Sequence, residues 1–272
     1  MDNYRENHGK RPSILVLIPV MRENPVELIN SLLQQTVKPS KIVVISGSYV
    51  MTNFLKKKLS QGVFRDLPVA VYYVKPDMRR HVGERVGRAI NFVLANEEVS
   101  KYEYILKIDA DVRFASDYFL ERCLRQKADV IGIGYFMLIR TEPFLKILGG
   151  KWPEIPTDDA FIVQAFKVCG RKVSSIPHGL TLERQGGALG GWKYYFYRGI
   201  YDLKIGFNPI KETIAVIFLV IHRKSLLPFL TLIGYFVAIV RGEAFYVFGR
   251  IAFIDSVKTL FYRIFKRITF LT

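Results

Sequence analysis

Tyr104-Ile105-Leu106-Lys107-Ile108-Asp109-Ala110-Asp111 is the stretch on which the reading of this chain turns. Its first five residues form a short, largely apolar run of strand character, and two aspartates one residue apart follow at once. Carboxylates so placed project into the adjoining loop together, where they reach one hard cation directly or through water. Mg²⁺ or Mn²⁺ suits such oxygen donors. Val112 and Phe114 then return the chain to a core.

Outward from this stretch, β-branched apolar runs alternate with helix-like segments. Strands are predicted at Ser13 to Val20, Lys41 to Ser46, Val69 to Val74 and Tyr104 to Ile108. Helices are expected after Asn24-Pro25-Val26-Glu27, at Thr52 to Leu59, from Asp77 to about Asn96, at Ser116 to Lys127 and from Thr157 to Val168. Val130 to Leu138 reads as one apolar stretch, followed by a looser segment to Pro156 and a last strand from Lys172 to Pro177. Such alternation implies right-handed crossovers and a mainly parallel sheet, an α/β fold of Rossmann type with ligands at the carboxyl ends of the strands. The helix after Asp77 carries Val82, Val86, Ala89 and Val93 on one face and a basic stripe of His81, Arg85 and Arg88 beside it. That stripe suits either a solvated surface or a phosphate.

The 272 residues carry a net charge of +16, so anions are the expected partners. Mean hydropathy is +0.16 although a normal 24% of residues are charged, which means apolar residues are concentrated beyond an ordinary core. They gather in the tail, at Thr213 to Ile221 and Ser225 to Val240, with His222-Arg223-Lys224 between. Before them, Trp192 to Arg198 interleaves aromatics with cations, and after them Arg250, Lys258, Arg263, Lys266 and Arg267 stand among Phe, Ile and Leu. The expectation is a catalytic domain over 1–191 and an amphipathic, membrane-associated region over 192–272. Ser225 to Val240 makes about 24 Å of helix against a hydrocarbon core of roughly 30 Å, and Pro228 and Gly234 favour a bend, so the stretches are expected to dip into one leaflet. Cys123 and Cys169 lack ligand-like spacing and read as buried free thiols. The polar first residues hold no apolar signal segment, which suggests a catalytic part on the cytoplasmic face.

At this point the chain resembles the family 2 glycosyltransferases, inverting enzymes of the nucleotide-sugar-binding GT-A fold. The likeness runs from about Ser13 to Val240. Val16-Leu17-Ile18-Pro19-Val20-Met21-Arg22-Glu23 looks like the family's first strand and nucleotide loop, and Leu28 to Gln35 with Lys38-Pro39 like its first helix and turn. Asp109-Ala110-Asp111 looks like its metal motif, and Thr157-Asp158-Asp159-Ala160-Phe161 like its acidic pair. Tyr197-Arg198-Gly199, Gly206-Phe207-Asn208-Pro209 and Leu232-Ile233-Gly234-Tyr235 resemble the C-terminal segment of membrane-associated members.

The resemblance implies a glycosyltransferase that moves a sugar from a nucleotide-sugar donor to a lipid-linked or glycan acceptor with inversion. Asp159 would be the general base. Asp109 and Asp111 would hold Mn²⁺ or Mg²⁺, and His178 is placed to complete the metal site or to meet the diphosphate. Donor contacts are expected from Pro19, Val20, Arg22, Glu23, Ser46, Arg85, Arg88, Asn91 and Asp109. An oxocarbenium-like transition state needs such a base and a counter-charge for the departing diphosphate. Departures are visible as well. Ile45-Ser46-Gly47-Ser48 stands where members carry acidic residues, and Ala89-Ile90-Asn91 where many have Ala-Arg-Asn. Gln185-Gly186-Gly187-Ala188-Leu189 lacks the Arg and Trp of processive synthases, so a single addition per binding event is expected. The competing readings are a basic polyanion- or nucleic-acid-binding module, disfavoured by the apolar tail and the acidic pairs, and a sugar-nucleotide nucleotidyltransferase, for which no Gly-rich signature is seen. Nucleic acid is therefore not expected as a partner; an anionic membrane surface is.

Overall fold

The computed structural model describes residues 12–20, 23–60, 68–177, 182–184 and 191–269. The chain divides into two compact units, one of residues 1–159 with 171–187, the other of 160–170 with 188–272. The second unit thus takes in the 160–170 segment as well as the tail expected to stand apart from 192 onward.

The strands of the first unit, in chain order, are β1 (Ile14–Val20), β2 (Lys41–Ser46), β3 (Val69–Tyr73), β4 (Tyr104–Ile108), β5 (Val112–Phe114), β6 (Val130–Ile133), β7 (Phe136–Arg140), β8 (Val173–Ser174) and β9 (Leu182–Arg184). Seven of them form one sheet in the order β3-β2-β1-β4-β7-β6-β8, while β5 leaves it and pairs with β9 in a separate ribbon. β1, β2, β3 and β4 run parallel, as the alternation predicts, with helices α1 (Val26–Gln34), α2 (Tyr49–Leu59) and α3 (Val82–Asn96) in the crossovers. β1 and β4 are buried along nearly their whole length, which is why they read as continuous apolar runs. Beyond β4 the sheet turns mixed. β7 pairs antiparallel to β4 and to β6, and β8 rejoins β6 in parallel.

The apolar stretch 130–138 is therefore a hairpin. Gly132 and Gly134 have φ of +85° and +73°, conformations open to glycine without strain, and they let β6 reverse into β7 within a few residues. α4 (Phe119–Arg125) follows β5, and α5 (Thr141–Leu148) springs directly from β7 inside the segment expected to be loose. α6 runs Asp158–Val168. The core gathers Ile14, Val16, Ile18, Leu28, Leu106, Ile108, Phe119, Phe136 and their neighbours around the sheet.

The second unit is helical: α7 (Trp192–Ile205), α8 (Pro209–Arg223), α9 (Phe229–Val240) and α10 (Gly249–Thr269). α8 stops at Arg223, and Lys224 follows with φ +49°, so the helix breaks within His222-Arg223-Lys224. Pro228 caps α9 instead of bending it. Gly234 is needed for close approach, since a Cβ there would lie 1.9 Å from the Phe196 carbonyl oxygen, and one on Gly199 would lie 1.8 Å from that of Thr231. α7 and α9 cross backbone to backbone at these two glycines. Among the described residues no helix is long and apolar enough to cross a membrane. The two cysteines are free; Cys123 is buried and its thiol pushed up to about 12 by that burial, whereas Cys169 is exposed, against the expectation of two buried thiols.

Candidate functional site

The end of β4 is organised by a buried lysine. Lys107 sits one residue before the strand's end with its side chain 10% exposed, and its ammonium donates to Asp109 Oδ1 at 2.6 Å and to the Gly134 carbonyl at 2.8 Å. An ammonium in this position is tolerable only because it is paired and hydrogen-bonded. The Asp109 amide donates to the Tyr135 carbonyl at 2.9 Å, which fixes the aspartate against the β6–β7 turn. That same turn carries Gly134, where an added Cβ would stand 3.6 Å from Asp159 Oδ2. Asp159, some fifty residues on, thus comes to the turn that also receives Lys107 and the Asp109 amide.

The acidic pair is held from behind. Asp158 opens α6 with 9% of its surface exposed, and the Trp152 indole N–H donates to its Oδ2 at 2.6 Å. Trp152, 1% exposed and stacked at a tilt on Phe144, is gripped through its backbone by Asn91 of α3. The Trp152 amide donates to Asn91 Oδ1 at 2.7 Å, and Asn91 Nδ2 donates to the Trp152 carbonyl at 2.9 Å and to Glu154 Oε1 at 3.1 Å. α3 can approach this segment because it presents glycines: Cβ atoms on Gly83 and Gly87 would stand 2.6 Å from the Pro156 oxygen and 2.4 Å from that of Pro153. Burial pushes the Asp158 carboxyl up to about 6, reinforced by Asp159 and opposed by the charge of Lys107 and the Trp152 hydrogen bond.

A second concavity lies at the carboxyl ends of β1, β2 and β3. Pro19, Val20, Gly47, Asp77, Arg85 and Arg88 are among its lining residues. The basic stripe divides here. Arg85 and Arg88 reach this pocket, while His81 is the N-cap of α3, its ring accepting from the Gly83 amide at 3.3 Å as Glu84 accepts from the His81 amide at 3.1 Å. Burial lowers the His81 pKa. Ser46 is fully buried, its hydroxyl bonded to the Ser48 backbone at 3.1 Å, so it shapes the β2 turn rather than meeting the pocket. Asn91, expected among the donor contacts, has its amide committed to Trp152 and Glu154. Asp111 and Glu23 line a different concavity of about 320 Å³, with Glu27 and Arg113, which form an ion pair with each other. Arg22 and His178 lie outside the described residues.

Among the described residues no three His, Cys, Asp or Glu side chains converge as a metal cage. Two hard carboxylates at a strand end nevertheless fit a cation of the Mg²⁺ or Mn²⁺ kind, which commonly takes one or two protein carboxylates and completes its shell with substrate phosphates and water. Sequence reasoning misses Lys107 and Trp152. A lysine inside a buried strand is the available signal for the first, because an ammonium there demands an acidic partner; Trp152 lies in a segment with no periodicity.

No family model and no curated protein matches the chain. Its structure is similar to that of S. aureus TarS, with 14% identity and a TM-score of 0.50 over 70% of this chain and 40% of that one. HddC from Yersinia pseudotuberculosis is a more distant likeness, with 10% identity and a TM-score of 0.43 over 62% of this chain and 92% of that one. The chain thus spans less than half the length of the TarS structure, and at such identity the likeness is one of fold: a Rossmann-like α/β unit with a mostly parallel sheet.

Proposed function

We propose that this chain is a nucleotide-sugar-dependent glycosyltransferase of the inverting, family 2 type that makes a single addition to a lipid-linked or glycan acceptor. The observation that carries the reading is that Gly134, which has Asp159 beside it, accepts through its carbonyl from the same Lys107 ammonium that holds Asp109 at the carboxyl end of β4. It adds geometry to two motifs that sequence alone only sets in order, on a fold similar to that of TarS. In this reading Asp159 accepts the acceptor hydroxyl's proton as the bond to the sugar forms, and Arg85 and Arg88 meet the donor phosphates. Asp109 and Asp111 would hold Mg²⁺ or Mn²⁺, which when bound supplies counter-charge for the leaving diphosphate.

The helical unit supports a membrane partner. Ile210, Ile214, Ile217, Phe218 and Ile221 are exposed along α8 at helical spacing, and Phe229, Ile233, Phe236, Ile239 and Val240 along α9. Exposed apolar stripes on helices that carry or adjoin Lys211, Lys224 and Arg241 suit the interface of an anionic leaflet, with the catalytic unit on the cytoplasmic face.

The test is transfer or hydrolysis of UDP-, GDP- and dTDP-sugars with Mn²⁺ or Mg²⁺, run beside the Asp111→Ala variant. Metal-dependent release of one nucleoside diphosphate, abolished in D111A, is expected. Release of pyrophosphate from a nucleoside triphosphate and a sugar phosphate would instead identify a nucleotidyltransferase, and inactivity toward all of them with tight nucleic-acid binding would return the chain to a polyanion binder. Flotation with vesicles containing phosphatidylglycerol checks the membrane assignment; failure to float would remove it.

A further inference from the structure

We propose that Lys107 is a positioning residue that weakens the hold of Asp109 on a free divalent cation, so that metal binds together with the donor diphosphate and not ahead of it. The inference rests on the glycosyltransferase reading of the same site.

Lys107 has no packing role that an apolar side chain would not fill better. It lies in β4, between β1 and β7, paired in register with Leu17 on one side and Met137 on the other, where every residue of the strand is buried. Lysine is among the residues least often found in such surroundings. Its ammonium is anchored at two points, Asp109 Oδ1 and the Gly134 carbonyl, and its charge also reaches Asp158. The strand end therefore presents a carboxylate whose charge is already compensated from within the protein.

Two electrostatic effects follow. A divalent cation approaching Asp109 meets an ammonium a few ångströms away, and like charges at that range in a partly buried site repel strongly. The ammonium also occupies one of the two carboxylate oxygens. A diphosphate reverses the balance, because its negative oxygens attract the metal and the ammonium alike. Metal and diphosphate then raise each other's affinity, and by linkage the factor is the same in either direction. Without the ammonium, Asp109 attracts the cation unaided, and the mutual dependence shrinks.

The experiment measures Mn²⁺ binding to the full chain by electron paramagnetic resonance of free Mn²⁺, with and without a nucleoside diphosphate and corrected for the complex the two form in solution. UDP, GDP and dTDP are first screened for a rise in melting temperature, and the one that gives it is used. The wild type is expected to bind Mn²⁺ about tenfold or more tightly with the nucleotide than without it. Lys107→Met should bind Mn²⁺ more tightly than wild type in the absence of nucleotide, closing most of that gap, while its turnover falls. Lys107→Arg, which keeps the cation, should retain the wild-type dependence. A merely structural lysine would not yield tighter metal binding on removal. Unchanged or weaker Mn²⁺ affinity in K107M without nucleotide overturns the proposal. So does a wild type that binds Mn²⁺ equally well with and without nucleotide, a result that needs no variant to fold. If none of the three nucleotides raises the melting temperature, the donor reading itself fails and this inference with it; if one does and the mutual dependence is missing, only the role of Lys107 fails.

Discussion

Replacing Asp158 by asparagine should stabilise the protein and slow it. The carboxyl is buried against Trp152 and stands at about 6 in the folded chain, against an ordinary value of 3.8. A carboxyl raised in this way binds its proton more tightly in the fold than in the unfolded chain. Its contribution is fully favourable below about pH 4, is lost as pH rises through about 6, and above that leaves a charged group the fold would rather hold neutral. The difference corresponds to about 3 kcal/mol at pH 8. The asparagine side chain would be permanently neutral, nearly the same shape, and still able to accept from the Trp152 indole. D158N should therefore be more stable than wild type by about 1 to 3 kcal/mol at pH 8, the lower figure applying where its new N–H₂ finds no acceptor. At pH 4.5 that advantage should have shrunk by about 2 kcal/mol. Urea unfolding followed by far-ultraviolet circular dichroism at both pH values gives the answer, since other titrating groups are common to both proteins and cancel in the difference. A D158N protein less stable than wild type by the same amount at both pH values would refute the reasoning and make Asp158 an ordinary helix-terminal charge. Turnover should fall in the same variant, because a carboxylate maintained against the stability of the fold is one the site uses.

The remaining predictions concern the base and the helical unit. Asp159→Asn should keep donor affinity, read from the melting shift with nucleotide sugar, while turnover drops by about 10² to 10⁴; unfolding in place of inactivity would argue for a capping role. In the helical unit Asp202 and Glu212 are 3% and 5% exposed, and Arg198 Nε donates to Asp202 Oδ2 at 3.3 Å. Burial and the neighbouring Glu212 push Asp202 up to about 8, so two carboxylates, one shared proton and one guanidinium leave the cluster neutral at pH 7. Arg198→Met should cost about 3 to 5 kcal/mol by stranding a buried charge, while Asp202→Asn should soften the loss of stability that wild type shows as pH rises through about 8; thermal melts at pH 7 and 9 check both. Gly199→Ala, which sets a Cβ against the Thr231 carbonyl, should lower stability by about 1 to 3 kcal/mol or more, and an unchanged melting temperature would contradict the close crossing of α7 and α9.

The parallel half of the sheet is legible because each of its strands is a short apolar run closed by a turn and followed by a helix, a pattern set by residues close together in sequence. The hairpin is not. Val130 to Leu138 contains its own reversal, at Gly132 and Gly134, yet the surrounding Val, Ile, Phe, Met and Leu make both arms look like one apolar stretch. α5 escapes notice because it starts straight from β7 at Arg140 with no side-chain cap to announce it. The start of α3 is set too early for a related reason: its cap is His81, outside the usual Ser, Thr, Asp and Asn, and Asp77 ahead of it looks like the better candidate.

The candidate site divides along the same physical line. Asp109 and Asp159 can be found because a carboxylate at a strand end or a helix start is visible from its immediate neighbours. Lys107, Gly134 and Trp152 cannot, because each acts across the fold: a strand lysine reaching a hairpin carbonyl, a glycine beside a helix-opening aspartate, an indole set by an asparagine on another helix. Asn91 shows the same limit from the other side. Its place in the motif suggests a ligand contact, but an amide that both donates to and accepts from the Trp152 backbone has little left to offer a ligand, and instead helps to place the segment that holds the acidic pair. The carboxylate oxygens of the candidate site are legible because they sit at element ends; the groups that set their charge and direction are legible only once β4, the β6–β7 turn, α3 and α6 are brought together.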